Sequence, residues 1–108
     1  MILYGLPSCD TCRKARKALE SAGHAVDFRD IRAVPLSAAE RDAFLADFGE
    51  ALINRRSTTW RGLSDAERAA APGDLLDAHP ALMKRPVLED GTQRTLGWDK
   101  DVQAAWLA

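Results

Sequence analysis

Apolar and polar positions change period several times along the chain, and each change marks an element. Ile2 to Gly5 is a short apolar run closed by Gly5 and Pro7, which predicts a buried strand. Over residues 10–22, Cys12, Ala15, Leu19 and Ala22 recur at helical spacing. They form a narrow apolar stripe, with Arg13, Lys14, Arg16 and Lys17 around it, and Gly23 is placed to close the helix as its C-cap. Residues 25–29 alternate apolar and polar, as a half-exposed strand does. Strand, helix, strand in this order is a βαβ unit, which implies parallel strands joined by a right-handed crossover.

The middle of the chain reads as helical. Ser37-Ala38-Ala39-Glu40 has capping-box spacing, and Phe44, Leu45 and Phe48 follow on one face up to Gly49. Ser64-Asp65-Ala66-Glu67 repeats the start signal before an Arg/Ala run that ends at Pro72. Residues 74–79 make a third short helical segment, stopped by Pro80. Between the first two lies the polar, basic stretch 54–61, expected to be a loop or short turn.

Pro86-Val87-Leu88, then Glu89-Asp90-Gly91, then residues 92–96 predict an antiparallel hairpin with glycine at its turn. A last helix starts at Asp99 and carries Val102, Ala105 and Trp106 on one face. The order βαβ, helical block, ββα matches a thioredoxin-like α/β fold with a helical insertion at about residues 36–80. No linker-like stretch, repeat or low-complexity segment divides it, so residues 1–108 read as a single domain.

Composition narrows the class. With 15 basic and 16 acidic residues the formal net charge is −1, and direct nucleic-acid binding, which needs a basic excess, is not expected. No apolar run approaches the length of a membrane helix, and the opening residues are too short for a signal peptide. The expectation is a soluble, cytoplasmic protein whose thiols stay reduced by default. The 2 cysteines, Cys9 and Cys12, are too close to staple a fold and point instead to chemistry or metal binding.

Cys9 follows the first strand at the start of the first helix, where unpaired N–H groups and the helix dipole stabilise an anion. Thiols so placed have lowered pKa values, and the thiolate is the nucleophile. Arg13, one turn on, can help. Cys12, at i+3, can close a disulfide with Cys9, the first thiol attacking and the second resolving. A C-x-x-C beside a βαβ pattern reads as a thioredoxin-like redox motif. Two nearby cysteines can also be inert small hydrophobes. A zinc site would need two further ligands, and His24 and His79 lie at spacings unlike zinc modules, so no metal is expected.

Tyr4-Gly5-Leu6-Pro7-Ser8-Cys9-Asp10-Thr11-Cys12-Arg13-Lys14-Ala15 resembles the N-terminal motif of the arsenate-reductase-like family related to glutaredoxin (ArsC, Spx and YffB). The block from Asn54-Arg55-Arg56 through Trp60-Arg61-Gly62-Leu63 is similar to the uncharacterised reductase-like YffB branch. The block from His79-Pro80 to Arg85-Pro86-Val87-Leu88 is similar to the family's segment ending in Arg-Pro.

The resemblance implies a thioredoxin-type fold and a nucleophilic cysteine at Cys9. It places an oxyanion-binding arginine at Arg85 and a cis-proline at Pro86, with Arg55 as an approximate match to an arginine of the insertion. A further arginine of the reductases, after the hairpin, falls at Trp98 here. Cys12 is not typical of the arsenate reductases but is typical of Spx-type regulators, where the pair is a redox switch.

The residues and the resemblance together imply two functions. In the first, the chain is a thiol-dependent oxidoreductase. Cys9 attacks, Cys12 resolves, and Arg13 and Arg85 stabilise the thiolate and bind an anionic group, with Arg55 and Pro86 completing the substrate site. No bound cofactor is expected; the resemblance implies glutathione, or another small thiol or oxyanion, as co-substrate and glutaredoxin as recycling partner. In the second, the chain is a redox-switched transcription regulator that binds the RNA polymerase α subunit.

Overall fold

Tyr4 is buried on one face of a strand and Leu3 on the other, because β1 (Ile2–Gly5) occupies the interior of a four-stranded sheet. In the computed structural model, which describes residues 1–107, β2 (Asp27–Asp30) pairs with β1 in parallel. On the other side, β3 (Val87–Glu89) pairs with β1 antiparallel, and β4 (Arg94–Leu96) pairs antiparallel with β3. The strand order is β2-β1-β3-β4. Between β1 and β2 runs α1 (Asp10–Ser21), and α6 (Lys100–Leu107) ends the described chain. The architecture is α/β and thioredoxin-like, with a helical insertion between β2 and β3.

The described residues form two compact units. The sheet unit contains Met1–Ile31 and the chain from Arg85 onward; the helical unit is Arg32–Lys84. The core of the sheet unit is built by Leu3, Leu88, Cys12, Ala15, Leu19 and Trp106, with Phe28, Trp98 and Val102 packed against it. Leu3 and Leu88 are partners across the sheet, so one strand pair presents one apolar surface to α1 and α6. Leu3, Leu19 and Leu88 are fully buried, each contributing roughly 1.5–3 kcal/mol over exposure. On the opposite face the Tyr4 ring lies under Arg29 and its hydroxyl reaches Glu89, which also holds Arg94 at 2.7 Å.

The expected apolar stripe of α1 is present over Cys12, Ala15 and Leu19, but Ala22 is exposed, because the helix ends at Ser21. Gly23 takes φ +95 one position beyond the capping residue Ala22. Its N–H reaches Glu20 O (3.1 Å) and the N–H of His24 reaches Leu19 O (3.0 Å), a Schellman closure. In the hairpin, Asp90 Oδ1 accepts the N–H groups of Thr92 and Gln93 at 2.8 and 2.9 Å, so β4 begins at Arg94 rather than at residue 92. On α6, Trp106 is buried and Val102 half-buried, while Ala105, expected on the same face, is exposed beside this narrow stripe.

In the helical unit, α2 (Ala38–Phe48) starts with the expected capping box: Ser37 Oγ accepts from Glu40 N at 3.1 Å and Glu40 Oε1 from Ser37 N at 2.8 Å. Phe44 is buried, with Leu45 and Phe48 half-buried. The stretch expected as a loop or short turn ends in one helical turn, α3 (Thr58–Arg61), because Ser57 Oγ caps the Trp60 N–H at 3.1 Å. The second capping box, Ser64 with Glu67, is also formed, but α4 (Asp65–Arg68) is a single turn rather than a helix running to Pro72.

Two facts explain the early stop of α4. Residues 69–71 are exposed alanines with no apolar face to bury. Ala71 is extended (φ −61, ψ 146), as the residue before a proline prefers, and Pro72 opens α5 (Pro72–Ala78) from its first turn. Leu63, Leu75 and Leu82 form the core of this unit, with Trp60 against it.

Candidate thiol site

Cys9 is the N-cap of α1, with extended backbone (φ −82, ψ 116), while its carbonyl already accepts the first helical bond from Arg13 N at 3.1 Å. The chain arrives there from β1 through a tight turn in which Cys9 N donates to Leu6 O at 3.0 Å. The capping position is normally held by Ser, Thr, Asp or Asn, whose oxygen accepts an orphan N–H. Here the acceptor is sulfur: Cys12 N lies 3.5 Å from Cys9 Sγ. A thiolate is a better acceptor than a thiol, so the cap favours the ionised form.

Three influences set the charge of Cys9. Partial burial pushes its pKa up and is the largest single effect. Hydrogen bonds from the Cys12 backbone and side chain oppose it, as do a hydrogen bond and direct attraction from the Arg85 guanidinium. The combined result is a pKa below the ordinary 9.0.

Cys12 is the reverse case. It is fully buried in the core, and desolvation, with the neighbouring Cys9 adding to it, pushes its pKa up to about 12 against the help of the Leu6 N–H and Arg85. The two sulfurs are therefore driven apart, one toward thiolate and the other held as thiol. Both cysteines are reduced, Cys9 half-buried and Cys12 buried.

The structure brings Cys9, Cys12 and Arg85 together. Pro86 follows Arg85 through a cis peptide bond, is fully buried, and accepts the Gly97 N–H on its carbonyl at 2.8 Å. Trp98, next in the chain, packs half-buried against the core cluster that contains Cys12. Arg13 is directed elsewhere. Its guanidinium pairs with Asp10 and donates to Pro7 O at 3.1 Å, on the exposed side of the helix. Arg55 belongs to the helical unit, where it stacks 5.3 Å from the Trp60 ring centroid, with Arg68 over the same ring at 5.6 Å.

One contact is not legible in the sequence. The Cys12 sulfur rests on Gly5, so closely that a Cβ there would stand 2.5 Å from it. Gly5 read only as a strand terminator, because fit between β1 and α1 is not a local property of either. Among the described residues, no group of three or more His, Cys, Asp or Glu could hold a metal ion, and no helix is long and apolar enough to cross a membrane.

The chain has counterparts among known proteins. The ArsC family profile matches residues 4–105. A global transcriptional regulator Spx of Streptococcus pyogenes is 33% identical over 98% of this chain and 84% of its own length. The solved structure of a protein named YFFB superposes with a TM-score of 0.89 at 38% identity, covering 99% of this chain and 98% of that one. An arsenate reductase (ArsC) related protein from Brucella melitensis gives a TM-score of 0.76 at 36% identity, over 97% of this chain and 92% of its own. The matched stretch takes in both cysteines, Arg85, Pro86 and the whole helical insertion, and the chain belongs to the ArsC family, in the superfamily that also holds the Spx and YffB proteins.

Proposed function

We propose that this chain is a cytoplasmic thiol-redox switch, in which Cys9 reacts, Cys12 resolves, and the state of the pair is read by a protein partner. The observation that carries this reading is the opposed tuning of two thiols one helical turn apart: Cys9 lowered by the cap and Arg85, Cys12 raised by burial. The similarity to regulators named Spx supports a signalling output, with the RNA polymerase α subunit as the partner to test.

The chemistry balances with a small disulfide as oxidant, glutathione disulfide being the cytoplasmic case. The Cys9 thiolate attacks one sulfur of that disulfide; its S–S bond breaks, and the departing thiolate takes a proton. Cys12 then gives up its proton and attacks the Cys9 sulfur, releasing the second small thiol. The protein pair has lost two electrons and become a disulfide, and the small disulfide has become two thiols. Cys12, protonated at neutral pH, is a poor nucleophile until the mixed disulfide forms beside it, which keeps the reduced pair from attacking indiscriminately.

A second reading, a glutathione-linked reductase recycled by glutaredoxin, is favoured by Arg85. A guanidinium on the reactive thiol can also bind the oxyanion or carboxylate of a substrate. The similarity to the Brucella arsenate reductase (ArsC) related protein points the same way. Affinity capture of the purified polymerase α subunit by the reduced and the oxidised protein separates the two readings. A redox-dependent difference in capture, lost in Cys12→Ala, is expected for the switch. Equal or absent capture in both states, with glutathione-dependent turnover abolished by Cys9→Ser, would replace it with the reductase.

A further inference from the structure

We infer that Gly5 is a positioning residue for the thiol pair: its missing side chain makes the seat that holds the Cys12 sulfur within reach of Cys9. The inference rests on the redox reading above only in treating Cys12 as the resolving thiol.

The geometry is specific. A Cβ built on Gly5 would lie 2.5 Å from Cys12 Sγ and 3.3 Å from Cys12 Cβ, with Leu3 Cδ2 at 3.2 Å. The first separation is far inside van der Waals contact, and the atom met is the sulfur of the resolving thiol itself. The Leu6 N–H, the next donor along the chain, also favours the ionised form of this sulfur. Gly5 thus offers the buried sulfur a seat of bare backbone at the end of β1. Gly5 needs no unusual dihedral here, since it is not among the positive-φ glycines. Its glycine identity answers to the close approach of Cys12 and not to backbone conformation.

The consequence runs through Cys12 to Cys9. Seated, Cys12 donates to the Cys9 sulfur and favours its thiolate. A methyl group at position 5 forces the Cys12 side chain to another rotamer, and in a helix only two are open to it. That rotation displaces the sulfur from the position in which it favours the Cys9 thiolate. Cys9 should then lose a hydrogen-bond donor, and resolution of a mixed disulfide on Cys9 should slow, because a displacement of about 1 Å in a reacting atom can cost up to about a hundredfold in rate.

The test is a double-mutant cycle on the full chain with Gly5→Ala, Cys12→Ala and the double variant, read by the Cys9 thiolate titration and by thermal unfolding. Gly5→Ala alone should raise the Cys9 pKa and slow release of the second thiol from a glutathione adduct at least about tenfold. In the Cys12→Ala background, adding Gly5→Ala should leave the Cys9 pKa unmoved and cost much less in stability than it does alone. If Gly5→Ala does not fold, the double variant should, because the clashing sulfur is gone. An unchanged Cys9 titration and resolution rate in Gly5→Ala would overturn the inference. So would an equal pKa shift with and without Cys12, or failure of both variants to fold. Should the wild type form no internal disulfide, the redox reading fails, while the titration cycle still reports on the seat.

Discussion

The backbone N–H of Cys12 points at the sulfur of Cys9 across 3.5 Å, while the sulfur of Cys12 is itself buried beneath α1. One helical turn thus supplies an anion acceptor at its open end and a neutral thiol just inside. This polarity follows from the ordinary asymmetry of a helix start, where donors are exposed and the next turn is already packed.

Alkylation of Cys9 is therefore expected to rise with pH to a midpoint below 9.0. Burial works against this shift, and Arg85 is one of the groups that overcome it, so Arg85→Ala should move the midpoint upward, with Arg85→Lys intermediate. Arg13→Ala should leave it in place, since Arg13 is engaged with Asp10 and Pro7 O. The rate of iodoacetamide modification against pH for the four proteins checks this. A larger effect from Arg13 than from Arg85 would reverse the assignment.

Cys12 should make the fold sensitive to alkali. Its native pKa is raised from 9.0 to about 12, chiefly by desolvation. The native chain keeps this proton where the unfolded chain has lost it, so the contribution is fully present below pH 9.0 and is lost as pH rises toward 12. The limiting slope for one proton is about 1.4 kcal/mol per pH unit. Cys9, shifted the other way, contributes stability that is complete above 9.0 and so adds no slope in that window. Urea unfolding across this range should show a steeper alkaline decline in the wild type than in Cys12→Ala.

Leu19 is fully buried between α1 and the sheet, in the same cluster as Cys12. Leu19→Ala should cost about 2–5 kcal/mol through lost contacts and a residual cavity, measured by denaturant unfolding. A loss under about 1 kcal/mol would mean that the cluster collapses around the gap.

The legible and illegible parts of this chain divide by range. The strand at Ile2–Gly5, the α1 stripe and both serine capping boxes are local patterns, and each was readable. Ser64 marked a true start, but it carried no information on length. Ala69 to Ala71 have helix propensity without a face to bury, and Pro72 dictates the backbone before it. Cys9 could be placed at a helix start from its neighbours alone. Arg85 could not, because its approach to Cys9 depends on β3 lying beside β1, and only family resemblance pointed to it. Gly5 carried no signal, since a glycine that ends a strand and a glycine that seats a sulfur look alike in one dimension.

Cys12→Ala separates attack from resolution. With Cys9 left alone, reaction with glutathione disulfide should stop at a stable mixed disulfide on Cys9, visible by mass spectrometry of the intact chain. In Cys9→Ala the buried Cys12 should remain unmodified under the same conditions. Rapid modification of Cys12 would show it to be the attacking thiol.

The most direct measurement is the redox titration of the wild-type pair in glutathione buffers, followed by peptide mapping. The expected result is a two-electron transition to an internal Cys9–Cys12 disulfide, with a midpoint close enough to the glutathione poise for the pair to switch in such buffers. Thiols that stay reduced throughout, or a Cys9 adduct that never passes to Cys12, would contradict the claim that these two cysteines work as one switch.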